Sequence, residues 1–312
     1  MDFGLKKSRY SLGILVILGV ITSVGCPGPV EVSSPVVETR EVRDGLGRTI
    51  NVPVKIERAI SLAPSLTEMI FAIGAGDKLV GVTTYCNFPP ETASIEKVGD
   101  TQTPNIEKIV ALKPQVVFVS TASQLEAFTK TLEEQGVAVY VSNPKTLDEV
   151  FENLNELGNL FGRGAYVTGL VMTLAGRASR ARHQANYDRD QLIHTKNKPR
   201  VFVQISNEPL FTIGRDSFLT ELVDQAGGTS VTKDVPSGYP KLSKETAAAL
   251  DPEVIILSDS EDNRDSNDVF KNSQAVTSGR VYRINADIIS RPGPRLVDAL
   301  EEIARMVEPR TQ

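Results

Sequence analysis

The chain of 312 residues contains no tryptophan, two cysteines and two histidines, and aromatic residues make up 6% of it. Each scarcity removes a class of chemistry. His183 and His194 lie eleven residues apart, about 16 Å along a helix axis. They cannot share one metal ion, which disfavours a histidine-rich zinc or manganese receptor. There is no Walker loop, nucleophile elbow or paired-cysteine site. A net charge of -5 with no basic stripe argues against a nucleic-acid partner. The acidic run EDNRDSND at 261–268 lacks the glycine a calcium loop turns on, so it reads as a solvated loop. These absences make an enzyme the weaker expectation.

What is present begins at the N-terminus. Lys6, Lys7 and Arg9 precede an uncharged run from Leu12 to Val24, too short for a comfortable membrane span of about 20 residues. A basic start, an apolar core and small residues before a cut site make a secretory signal. Thr22-Ser23-Val24-Gly25-Cys26 resembles a bacterial lipobox, with Ser23 where Leu is usual. On that reading Cys26 is lipidated and becomes the first mature residue. An ordinary signal peptide or an uncleaved anchor are the alternatives. The Pro/Ser/Val stretch that follows is an extended tether. Cys86 then has no disulfide partner and is expected as a small buried hydrophobe.

Beyond the tether, EVRDGLGRTINVP reads as a hairpin. Short β-rich runs (AISLA, LVGVT, VVFV and VAVYV, then VFVQI, VIIL and VYRI) alternate with helical patterns, which indicates βαβ units and largely parallel sheets. One unit occurs twice. NIEKIVALKPQVVFVS (Asn105–Ser120) aligns without a gap to SKETAAALDPEVIILS (Ser243–Ser258). Each is a helix stopped near a proline, Pro114 or Pro252, and followed by a buried strand. Residues 146–161 have helical spacing, and a proline-free helical stretch runs from about Ala165 to His194. Roughly 30 residues of helix span about 45 Å, enough to join two α/β lobes rigidly across a cleft. The expected layout is a signal at 1–25, lipidated cysteine and tether at 26–39, an N-terminal lobe at 40–145, a helical segment at 146–197 and a C-terminal lobe at 198–312.

Three glutamates stand out. Ser65-Leu66-Thr67-Glu68 has capping-box spacing, in which Glu68 reaches back to the Ser65 amide. Glu107 and Glu245 occupy matching positions of the repeat, in the first helical turn after Asn105 and Ser243. Favourable placement at a helix N-terminus explains them locally. Presentation of one carboxylate per lobe to a common partner is the other explanation.

Arg58–Val82, Tyr85-Cys86-Asn87-Phe88-Pro89-Pro90, Val98-Gly99-Asp100, Asn105–Val119 and Ser290-Arg291-Pro292-Gly293-Pro294-Arg295 together resemble the iron/cobalamin class of ABC-transporter substrate-binding proteins. The resemblance runs from about Glu57 to the C-terminus and is greatest to the cobalamin-binding members. It implies a monomeric, two-lobed receptor without catalysis or cofactor, anchored on the outer side of the cytoplasmic membrane. It also implies a permease dimer and its ATPase subunits as partners, and Glu107 and Glu245 as the residues that dock on that dimer. The resemblance carries the cleft onto Tyr85, Phe211, Tyr239, Asp287, Ile288, Ile289, Ser290 and Arg291. Thr101, Ser120, Tyr239 and Ile288 fall where cobalamin-binding members have aromatic walls.

The ligand implied is a cobalamin-type corrinoid. A ferric siderophore is the first rival, with Arg215, Arg291 and Arg295 available to an anion. Haem is another, with Tyr85 or Tyr239 as axial ligand. From other classes come a tetrapyrrole metal chelatase and a receptor domain coupled to signalling.

Overall fold

Two faces per strand determine how this chain packs. The computed structural model describes residues 1–2, 38–121, 125–187 and 198–308. Residues 3–37, which include Cys26 and nearly all of the expected signal and tether, and His194 lie outside the described residues. The fold is that of the unit Glu38–Gln312.

The hairpin pairs β1 (Thr39–Arg43) antiparallel with β2 (Thr49–Pro53). Asp44 closes its turn by accepting from the Leu46 and Arg48 amides, and Gly45 donates to the Val141 carbonyl at 2.7 Å. A Cβ at Gly45 would sit 2.9 Å from that oxygen, so only glycine allows the hairpin to lie against the lobe.

The N-terminal lobe contains β3 (Ala59–Ser61), α1 (Pro64–Ala72), β4 (Leu79–Val82), β5 (Glu96–Lys97), α2 (Ile106–Ala111), β6 (Val116–Ser120), α3 (Leu125–Glu134) and β7 (Ala138–Ser142). Its sheet is parallel throughout, in the order β5-β4-β3-β6-β7. Next come α4 (Leu147–Leu160) and α5 (Gly164–Tyr187).

The C-terminal lobe contains β8 (Arg200–Ser206), β9 (Phe211–Thr212), α6 (Phe218–Gln225), β10 (Thr229–Ser230), α7 (Lys244–Ala248), β11 (Val254–Asp259), α8 (Gln274–Thr277), β12 (Val281–Asn285), α9 (Ala286–Ile289) and α10 (Leu296–Val307). Parallel strands run β10-β8-β11-β12, with β9 antiparallel on β8.

The repeat is structural. Asn105 and Ser243 each cap their helix, accepting from the amide three residues on. Lys113 and Asp251, at matching positions before Pro114 and Pro252, both take positive φ (49° and 38°), the left-handed turn that ends a helix. Strand side chains then alternate identically. Val116 and Phe118 face one core, as do Val254 and Ile256, while Val117, Val119, Ile255 and Leu257 face outer cores private to each lobe.

The shared core is what joins the lobes. It runs without interruption from α1 and α4 through α5 into α6 and α10. The 24 residues of α5 extend about 36 Å. Polar contacts fix this spine to both sides. Arg177 binds Asp298 and Glu301 of α10 at 2.7 and 2.6 Å, while Arg182 reaches both Asp148 of α4 and Gln225 of α6. The spine expected to reach His194 is described only to Tyr187. The loop at 261–268 differs from the solvated expectation. Asn263 and Asn267 are buried, and both bond to the buried Gln204. Two asparagines thus anchor an otherwise acidic surface loop.

The α4–α5 contact gives a test. A Cβ at Gly158 would lie 2.6 Å from Val167 Cγ2, whereas one at Gly169 meets nothing within 4 Å. Gly158→Val should destabilise by about 1–3 kcal/mol through overpacking, and Gly169→Ala should be neutral or gain up to about 1 kcal/mol. Urea unfolding midpoints check this, and equal effects at the two positions would contradict the close packing.

Candidate functional site

Parallel α/β sheets open toward ligands at the carboxyl ends of their strands, where the strand order reverses. In the N-terminal lobe that point lies between β3 and β6, and residues just beyond them line a cavity of about 360 Å³. Ala63–Ser65, Tyr85, Thr101, Ser120, Thr121 and Ser142–Pro144 form one side. Asp287, Ser290, Arg291 and Pro292 of the C-terminal lobe form the other. A larger cavity of about 810 Å³ shares Asn143 with the first and extends over Lys145, Arg215–Phe218, Thr220, Glu221, Asp224, Thr229, Ser230 and Lys233. Together they make an interlobe cleft of two chambers.

The smaller chamber is bounded by a buried polar clasp. Glu68, 3% exposed, receives Arg291 Nη1 at 2.9 Å on Oε1 and both Nη2 (2.6 Å, Oε1) and Nε (2.8 Å, Oε2) of Arg295. Arg291 also donates to Asn87 Oδ1 (2.8 Å), Asp287 Oδ1 (2.6 Å) and the Tyr85 carbonyl (3.4 Å). Asn87 returns a bond to Asp287 Oδ2 at 2.8 Å. The guanidinium of Arg295 lies 4.2 Å from the centre of the Phe88 ring, a cation–π contact. Glu68, Tyr85, Asn87 and Phe88 belong to the N-terminal lobe, and Asp287, Arg291 and Arg295 to the C-terminal lobe. Every one of these contacts except Arg291–Asp287 crosses between lobes. The Glu68 carboxylate raises the pKa of Arg295, which therefore stays charged.

This corrects the capping reading of Glu68. The N-cap of α1 is Ala63, without a side-chain cap bond, so Ser65 lies inside the helix and Glu68 is free to point across the interface.

The expected cleft residues separate into groups. Tyr85, Asp287, Ser290 and Arg291 line the smaller chamber, as do Thr101 and Ser120. Tyr85 is 60% exposed, and its side chain is open to the cleft. Tyr239 is exposed, but its hydroxyl lies beside Ser217 of the larger chamber, and burial there pushes its pKa up. Ile289 is withdrawn from the cleft. The single turn of α9 carries it into the shared core at 1% exposure. Ile288 packs half-buried against the same core, and Phe211 sits half-buried in β9; neither lines the chambers. Of the arginines offered to an anion, Arg291 and Arg295 are taken up by Glu68. Asn143, shared by the two chambers, and Lys145 of the larger one are absent from the sequence reading. Their only sequence signal is their position directly after a parallel strand.

Glu107 and Glu245 are both exposed at the second position of α2 and α7. The carboxyl of Glu245 is held below its usual range by its own amide and the Ser243 hydroxyl. Cys86 is buried against the Thr67 and Thr83 hydroxyls. No cluster of metal-ligating side chains occurs among the described residues, and no described helix is long and apolar enough to cross a membrane.

Residues 60–288 match the model of the periplasmic binding protein family. An uncharacterized ABC transporter substrate-binding lipoprotein of Bacillus subtilis is 27% identical over 98% of this chain and 99% of its own length. The vitamin B12-binding protein of Vibrio cholerae is 32% identical, covering 80% of this chain and 89% of that one. The crystal structure of a periplasmic vitamin B12 binding protein from the same species superposes with a TM-score of 0.69 at 30% identity, over 81% of this chain and 96% of that one. A periplasmic heme binding protein from Pseudomonas aeruginosa shares the fold, with a TM-score of 0.73 at 24% identity over 82% of this chain and 94% of that one.

The clasp is directly testable. Glu68→Gln leaves two guanidiniums short of their carboxylate, with 9% and 18% of their side chains exposed. Breaking a buried pair from one side costs about 3–5 kcal/mol. Urea unfolding should register that loss, and a change under about 0.5 kcal/mol, the range of ordinary surface substitutions, would contradict the buried clasp.

Proposed function

Because this chain belongs to the periplasmic binding protein family, and is thereby a solute-binding component of an ABC importer and not an enzyme, we propose that its cargo is a cobalamin-type corrinoid. The chelatase alternative falls with the family assignment. The observation that carries the ligand reading is the identity to a relative named for vitamin B12 binding, at 32% over most of both chains. The cleft is consistent with it. A broad ligand of apolar face and amide edge suits a cleft whose smaller chamber is lined by Tyr85, Pro144, Pro292 and a row of hydroxyl and amide side chains. Small Thr101 and Ser120 leave room where aromatic walls are expected from the resemblance.

Capture needs little lobe movement on this reading, since the clasp and the shared core hold the lobes together. The loaded receptor docks by Glu107 and Glu245, one knob per lobe, on the twofold permease. Exposed charges of this kind steer and register docking more than they tighten it. ATP hydrolysis on the importer then supplies the energy for release. The N-terminal segment with Cys26 tethers the receptor to the outer face of the membrane, in keeping with the lipoprotein named for the Bacillus relative.

Haem is the second reading, favoured by Tyr85 and Tyr239, both of them exposed. The soluble chain beginning after Cys26 should be mixed with cyanocobalamin and desalted, with haemin and a ferric siderophore in parallel. Stoichiometric cobalamin absorbance in the protein fraction is expected. Colour from haemin or siderophore alone would overturn the corrinoid reading and leave the importer role intact.

Docking has its own test. The double variant Glu107→Lys, Glu245→Lys should bind ligand unchanged while import by the reconstituted transporter falls about tenfold or more. Import at the unaltered rate would assign the glutamates to their helix ends alone.

A further inference from the structure

The two chambers differ in charge. In the smaller one the single arginine is fully committed to Glu68, Asn87 and Asp287. The larger one is lined by three cations, Lys145 from the N-terminal lobe and Arg215 and Lys233 from the C-terminal lobe. Among the described residues neither lysine ammonium has a carboxylate partner, and the Arg215 guanidinium donates only to the Asp234 carbonyl, at 2.9 Å.

Three carboxylates line the same chamber, and each has a partner of its own. Asp224 is held by Lys198 at 2.5 Å, Asp216 accepts from the Ser237 amide at 3.1 Å, and Glu221 accepts from Gln225 Nε2 at 2.7 Å. Burial, above all, raises the pKa of Glu221, opposed by its bond from Gln225 and by nearby Arg182. With Asp224 held by Lys198, the three cations face two carboxylates, Asp216 and Glu221, whose own partners are uncharged, so the concave space keeps one positive charge in excess, with cations from both lobes.

We propose that this chamber is an anion subsite for the ligand, formed by Lys145, Arg215 and Lys233, and that it receives a phosphate diester or equivalent acidic substituent while the apolar body of the ligand lies by Tyr85. The inference rests on the ligand occupying this cleft and deepens the corrinoid reading. Cobalamin carries one phosphodiester in its nucleotide loop, and cobinamide lacks it. The subsite therefore selects complete corrinoids over those without the loop. Cations on opposite lobes gain a shared counter-ion when it binds, so the ligand adds a second, removable tie between the lobes.

The experiment has two arms, each using the triple variant Lys145→Ala, Arg215→Ala, Lys233→Ala beside the parent chain. In the first, inorganic phosphate is titrated and followed by backbone NMR. Shifts at residues 145, 215 and 233 are expected in the parent and not at neighbouring positions of the variant. No shift in the parent, or the same shifts in both, overturns the subsite whatever the ligand is.

In the second arm, dissociation constants are measured for cyanocobalamin and dicyanocobinamide. The variant should lose about tenfold in affinity for cobalamin, the scale of a few partly exposed charge contacts, and less than about threefold for cobinamide. Added salt should weaken cobalamin binding to the parent more than to the variant. Equal losses for both corrinoids would overturn the proposal. If the parent binds neither corrinoid while the phosphate shifts appear, the corrinoid reading fails and the anion subsite stands.

Discussion

A single buried carboxylate organises the cleft. Glu68 holds two arginines from the other lobe, and a lone charge at 3% exposure would be unsustainable without them. The geometry follows in sequence. Arg291, fixed by Glu68, orients Asn87 and Asp287, and Arg295 stacks on Phe88. Tyr85, two residues before Asn87, is thereby set at the edge of the smaller chamber. A polar clasp makes this joint specific in direction, whereas the shared apolar core behind it makes the joint cohesive. Neither would serve alone, because apolar packing tolerates sliding and a buried ion pair contributes little net stability.

The duplicated unit explains why the two lobes meet as they do. Its strand puts alternate side chains into the shared core and into a private one, so the same pattern folds twice and joins itself through α4, α5 and α10. Its helix begins with a cap and an exposed glutamate in both copies. The docking proposed above sets this internal pseudo-symmetry against a symmetric partner. The cleft itself is unsymmetrical. The smaller chamber has its arginine paired within the clasp, whereas the larger one is lined by three cations and three carboxylates.

Much of this was legible in the order of residues. All seven β-rich runs expected from the pattern are strands, because period-2 alternation and buried aliphatic runs are local signals. The hairpin, the helix at 146–161 and the paired caps are local too. Glu68 departs from its local pattern for the same reason. Its spacing from Ser65 offered a local partner, while its actual partners stand 223 and 227 residues away. The acidic loop hid its two buried asparagines, whose partner Gln204 lies on another strand. Ile288 and Ile289 share a stretch that resemblance assigned to the cleft. The turn of α9 decides which of its side chains face inward, and four residues are too few to show a helical period. Tyr85 and Asp287 were assigned to the cleft by resemblance, but only the fold brings them opposite each other.

The central claim is that Glu68 locks the lobes in one arrangement. Spin labels at Lys130→Cys and Lys271→Cys, exposed positions on opposite lobes, in a Cys26→Ser chain, would report their separation by pulsed electron resonance. One narrow distance distribution is predicted, unchanged on adding cyanocobalamin and broadened by Glu68→Gln. A broad or two-peaked distribution in the chain with Glu68 intact would contradict the account.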